Sequence, residues 1–84
     1  MAVPDFTSCS ITWTAHALQR AAARGIAPLE AEAIIRESRV QEQTRQGRWI
    51  VWGCVSGWRT KIVLRPVANL CFVVTLIKTA EPCT

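Results

Sequence analysis

Past Arg39 the periodicity of this sequence changes, and that change limits the fold more than any other feature. Before it, Ala15 to Arg24 is built from Ala, Leu, Gln and Arg, all good helix formers. Thr14 stands where an N-cap belongs and Gly25 where a C′ glycine belongs. A second helix opens at Ala27-Pro28, with Pro28 at its first position and Glu30 in the first turn, and should stop near Ser38. Leu18, Ala21 and Ala22 form the expected core side of the first helix, and Leu29, Ala33 and Ile34 that of the second. Neither helix is long enough to stand alone, so both must dock on an apolar surface.

After Arg39, short segments of strand composition alternate with turns. Val40 to Arg45 alternates loosely, and Gln46-Gly47 turns the chain. Arg48 to Val55 carries Trp49, Ile50, Val51, Trp52 and Val55, and Ser56-Gly57 is a second turn. In Trp58 to Arg65, Trp58, Thr60, Ile62 and Leu64 share one face, and Arg59, Lys61, Val63 and Arg65 the other. Pro66 ends that strand, and Val67-Ala68-Asn69 turns the chain, with Asn69 suited to a positive φ. Leu70 to Lys78 is apolar on both faces, which predicts a central strand covered on both sides. The expected order is ααββββ, an α+β domain with two N-terminal helices packed on a four-stranded antiparallel sheet. Residues 1–10 read as an N-terminal tail, with Ile11-Thr12-Trp13 a short apolar anchor at the start of a single domain over 11–84.

A chain of 84 residues can build only one core. No stretch approaches the roughly 20 apolar residues of a membrane span. The N-terminus has neither the basic nor the apolar region of a secretory signal, so the cytoplasm is the expected location. The four cysteines, Cys9, Cys54, Cys71 and Cys83, show no C-x-x-C spacing, and His16 is remote from all of them. They read as reduced thiols acting as small hydrophobes, and neither a metal site nor a cofactor is expected.

Net charge is +4, and its distribution is uneven. From Thr44 onward Arg45, Arg48, Arg59, Lys61, Arg65 and Lys78 face a single acid, Glu81. Most of the cations are Arg, the side chain suited to bidentate phosphate contact. Either a nucleic acid or an acidic protein is the expected partner, or the surface is basic for solubility alone. His16, Arg20 and Arg24 stand at i, i+4 and i+8, one stripe of the first helix. An imidazole and two guanidiniums on one stripe could move a proton at a phosphodiester and offset its charge, or could form an ordinary solvated face. Arg59, Lys61 and Arg65 form a second cationic face, and Lys78 adds a cation on the last strand. Thr75 interrupts that apolar strand and either offers a hydroxyl to a ligand or is simply a strand former. Trp49 and Trp52, three apart, project from opposite strand faces, one to the core and one free to stack on a base or bind a protein. With one His and few acids, neither a two-histidine ribonuclease nor a carboxylate-cluster metallonuclease fits.

Thr14-Ala15-His16-Ala17, Arg20 and Arg24-Gly25-Ile26 resemble the T-x-H-A-x-x-R-x-x-x-R-G-I opening of domain-of-unknown-function family 4258. Lys61-Ile62-Val63 and Val74-Thr75-Leu76 resemble its K-V-V and V-T-V strand signatures, and the similarity spans roughly residues 11–78. That family is similar to RelE-like toxins, within the barnase–EndoU–colicin–RelE grouping of small ribonucleases. The resemblance implies RNA as substrate, no metal, and 2′-hydroxyl attack giving a cyclic phosphate. By it, His16 would be general acid or base, with Lys61 and Thr75 completing the catalytic group. Arg20, Arg24 and Lys61 would bind or stabilise phosphate, and an antitoxin or immunity protein would be a partner; apart from the resemblance, the strand cations Arg59, Arg65 and Lys78 are further candidate substrate contacts. The chain has no Tyr, so the terminal tyrosine of some RelE-like toxins has no counterpart. The alternatives are a non-catalytic module binding RNA or an acidic protein, and a homodimeric accessory protein. Convergence of the two cationic groups depends on the first helix packing beside the third strand's cationic face; on the opposite face the catalytic group would not form.

Overall fold

A computed structural model describes residues 6, 8–37 and 41–83. The expected end of the second helix at Ser38 and the start of a strand at Val40 lie outside the described residues. The elements are β1 (Ser10–Trp13), α1 (Ala15–Ala23), α2 (Pro28–Glu37), β2 (Gln41–Gln43), β3 (Trp49–Val55), β4 (Trp58–Val67) and β5 (Leu70–Pro82).

The α+β class is as expected, but the sheet is not four-stranded and antiparallel. It has five strands in the order β1-β5-β4-β3-β2, and β1 runs parallel to β5. The apolar anchor Ile11-Thr12-Trp13 is that extra edge strand, with Ile11 paired to Cys71 and Trp13 to Val73. Four residues are too few to display alternation. A parallel pair also needs a long crossover, here the rest of the chain, so proximity in sequence gives no hint of it. Nor does the expected tail describe Phe6, which is buried and meets Trp49 edge-on at 6.4 Å between ring centres.

Helix α1 begins as its cap predicts. The Ala17 N–H donates to Thr14 Oγ1 at 3.1 Å, and that hydroxyl donates to the Val73 carbonyl at 2.8 Å. One side chain thus starts the helix and ties it to β5. Thr14→Ala should cost about 1–2 kcal/mol in urea unfolding, while Thr14→Ser should recover most of it. Gly25 follows the helix at φ 68°, as a C′ glycine should.

Both helices lie on one face of the sheet, but each is rotated from expectation. Ala17 and Ala21 are the buried residues of α1, and Ala31 and Ile35 those of α2. Leu18 and Leu29 point outward, 45% and 80% exposed. Small side chains let the helices approach the sheet closely, which outweighs the area a leucine would bury. The approach is close at Gly53, where a Cβ would stand 2.5–2.8 Å from the Ile34 side chain. Gly53→Ala should cost about 1–3 kcal/mol by overpacking, and adding Ile34→Ala should recover part of that loss in a double-mutant cycle.

The core joins Ala17, Ala21, Ala31 and Ile35 to Trp49, Val51, Val55, Ile62, Leu64, Val73 and Leu76. Strand β4 keeps the expected alternation, but β5 does not. Val63 pairs with Thr75 and Leu64 with Val73, so Val74 is a β-bulge. The extra residue lets Val73 and Leu76, three apart, both face the core. No described helix covers the other face, and Ile77 there is 39% exposed, so β5 is not covered on both sides. Pro66 does not end β4; it pairs with Cys71 beyond Leu64, the last β4 residue paired to β3, where a missing N–H leaves no ladder broken on that side. In the turn that follows, Ala68 rather than Asn69 takes positive φ, at 54°.

The reading of four reduced thiols also needs correction. Cys54, at the end of β3, and Cys83, just past β5, form a disulfide with Cα atoms 6.2 Å apart. Cys9 and Cys71 are free thiols.

Candidate functional site

Where α1 ends over the sheet, a cleft of about 560 Å³ opens between Arg20, Ala23 and Arg24 of the helix and Trp58, Lys78, Thr79 and Ala80 of the strands. Two irregularities of β5 make it. The bulge at Val74 turns Lys78 toward the helices, opposite the buried Thr60. A second register shift, from Thr60–Lys78 to Trp58–Pro82, leaves Thr79, Ala80 and Glu81 bowed out beside the cleft. The bow is held by Thr79, whose hydroxyl donates to the Arg59 carbonyl at 2.7 Å and accepts from the Glu81 N–H at 3.2 Å.

Trp58 forms the cleft's flat wall. It lies on the same strand face as the buried Thr60, Ile62 and Leu64, but it stands at the end of the sheet and remains 41% exposed. Its alternation with Thr60, Ile62 and Leu64 gave no sign of a ligand platform. Its position directly after the Ser56-Gly57 turn, at a strand end beyond the reach of a nine-residue helix, was the available signal.

Arg20 and Arg24 lie at the C-terminal end of α1, where the helix carries roughly half a negative charge. Three cations in the cleft outweigh it severalfold, and none of the described lining residues is acidic. The site is therefore a positive recess beside a partly exposed indole. It suits a phosphate with an adjacent base.

The remaining predicted residues are elsewhere. His16 is exposed on α1, one turn before Arg20 and about 6 Å away along the axis; it does not line the cleft. Lys61 neighbours the buried Ile62 and pairs with Trp52 and Ile77, so its side chain leaves the opposite face of the sheet. Thr75, paired with Val63 beside the buried Leu76, also points there. Arg59 and Arg65 share that face. Arg59 lies 4.2 Å over the Trp52 ring and pairs with Glu81 at 3.3 Å, a cross-strand ion pair that local spacing did not reveal. The sheet separates His16 from Lys61 and Thr75, so these three do not assemble into one catalytic group. Of the eight candidates, Arg20, Arg24 and Lys78 are the ones brought together. The two tryptophans of β3 do project oppositely, with Trp49 buried in the core and Trp52 on the outer face.

No described helix is long and apolar enough to cross a membrane. Among the described residues no cluster of His, Cys, Asp and Glu could hold a metal ion. No protein-family model, curated protein or solved structure matches the chain.

Proposed function

We propose that this domain binds single-stranded RNA, holding a phosphate between Arg20, Arg24 and Lys78 and stacking the neighbouring base on Trp58. One observation carries the reading: cations from a helix and a bulged strand converge beside a partly exposed indole, with no acid among the described lining residues. Stacking on an indole demands an unstacked base, which single strands present and duplexes do not. RNA is the polymer that the resemblance of the Thr14–Ile26 motif implies. Fluorescence anisotropy with a labelled single-stranded RNA, repeated across a salt series, tests this. Affinity should fall steeply with salt and should exceed that for a duplex of the same sequence. Equal affinity for duplex and single strand would sink the stacking role.

Cleavage is a second reading, favoured by one feature. His16 continues the Arg20–Arg24 stripe, so a strand bound along α1 would pass the imidazole. On that reading the domain is a metal-independent, toxin-like ribonuclease, and a neutralising partner would be acidic. Controlled expression should then arrest growth with the wild-type chain but not with His16→Ala, and added EDTA should leave RNA cleavage unchanged. Intact RNA and equal growth in both would leave binding as the function.

A further inference from the structure

Cys9 and Cys71 are far apart in sequence but meet in the fold. Cys71 is buried on β5, on the face that packs under the helices. Its partner across the parallel ladder is Ile11, and Cys9 lies two residues before Ile11 in the lead-in to β1. Burial, and then the neighbouring Cys9, push the Cys71 thiol up to about 12. Their exposures differ. Cys71 is 1% exposed, whereas Cys9 is only half-buried. Both open onto a recess of about 230 Å³ at this end of the sheet, lined also by Phe6, Ser8, Ala68 and Leu70.

The backbone on the Cys9 side is anchored from a third element, since Arg36 of α2 donates to the Cys9 carbonyl at 3.3 Å. The Cys9 thiol itself donates to the Phe6 carbonyl at 3.7 Å. A half-buried thiol and a fully buried one therefore line the same recess, where the lead-in meets the regular ladder.

We infer that Cys9 and Cys71 are a thiol–disulfide exchange site, at which a small disulfide of the glutathione class converts the pair into a second intramolecular disulfide. In the first step the Cys9 thiolate attacks one sulfur of the oxidant. A Cys9–glutathione mixed disulfide forms, and one glutathione thiolate leaves and takes up a proton. In the second step the Cys71 thiol loses its proton and attacks the Cys9 sulfur, releasing the second glutathione. Two protein thiols are oxidised by two electrons, and one glutathione disulfide is reduced to two thiols. The accessible Cys9 attacks and the buried Cys71 resolves, because only Cys9 can reach an oxidant in solvent. The new bond would clamp β5 near its start to the lead-in of β1, as Cys54–Cys83 clamps its end to β3.

The test incubates the full chain with oxidised glutathione, alkylates the remaining thiols, and maps the peptides without reduction. The expected product is a Cys9–Cys71 linked peptide, with Cys54–Cys83 retained. Cys71→Ala should instead stop at the mixed disulfide on Cys9, and Cys9→Ser should leave Cys71 as a free thiol after the same treatment. The clamp should raise Tm by on the order of 10 °C in the wild type and not in Cys9→Ser. A stable glutathione adduct on Cys9 in the wild-type chain, two thiols still open to alkylation, or a Cys9–Cys54 link would each overturn the proposal. A Cys9–Cys71 link with unchanged Tm would overturn the clamping role.

Discussion

Trp58→Ala should weaken binding of single-stranded RNA by about 5- to 150-fold, the range that loss of one base–aromatic stack produces. The argument rests on where the indole stands. Trp58 is 41% exposed beside Arg20, Arg24 and Lys78, so its removal deletes a ligand surface more than a core contact. Trp58→Phe should retain much of the affinity. Neutralising Arg20, Arg24 and Lys78 together should act differently, lowering the slope of log affinity against log salt by about 0.7, the share of the one phosphate they hold. The opposite face provides the control. Lys61→Ala and Arg65→Ala lie across the sheet and should leave both affinity and slope nearly unchanged. If those variants lose as much affinity as Trp58→Ala, the cleft is not the site. Unfolding curves on each variant separate lost binding from lost folding.

Opening the Cys54–Cys83 bridge should be the most damaging change to stability. It closes a separation of 29 residues, for which chain entropy predicts a loss of about 3–4 kcal/mol. A domain of this size has about 4–13 kcal/mol in total, so the loss removes a quarter or more of the margin. Tm should fall by about 15 °C or more in Cys54→Ser/Cys83→Ser, and in the wild type under reducing conditions. The bridge also holds the end of β5, where the Cys83 N–H donates to the Gly57 carbonyl at 2.8 Å, next to the bowed segment lining the cleft. RNA affinity should therefore fall along with stability. A doubly substituted chain within about 0.5 kcal/mol of wild type would refute this role. The bridge also bears on location, because the reducing pool of the cytoplasm opposes it.

Local chemistry was legible wherever a residue acts on its near neighbours in sequence. Thr14 caps, Gly25 stops α1, Pro28 starts α2, and the Ser56-Gly57 turn joins β3 to β4 with φ of 53° and 83°. The alternation of β4 placed Ile62 and Leu64 inward and Lys61 and Arg65 outward, and the pairings agree. What failed were inferences about partners far along the chain. Helix rotation was misjudged because hydrophobicity favours Leu18 and Leu29 while close approach to the sheet favours Ala17, Ala31 and Ile35. Pairing of Cys54 with Cys83 left no mark in spacing, since the strands that align them are joined through an intervening hairpin.

The change of period past Arg39 by itself determined two helices followed by strands, and the basic character of the second half. It could not determine which cations meet. Strict alternation from Val73 would have sent Thr75 toward the helices and Lys78 to the open face. The bulge at Val74 reverses both, placing Lys78 with Arg20 and Arg24 and leaving Thr75 with Lys61 across the sheet. A bulge is chosen by how Val73 and Leu76 pack against helices from the other half of the chain. That choice is a tertiary one, because the free energy that selects it comes from contacts no local window contains.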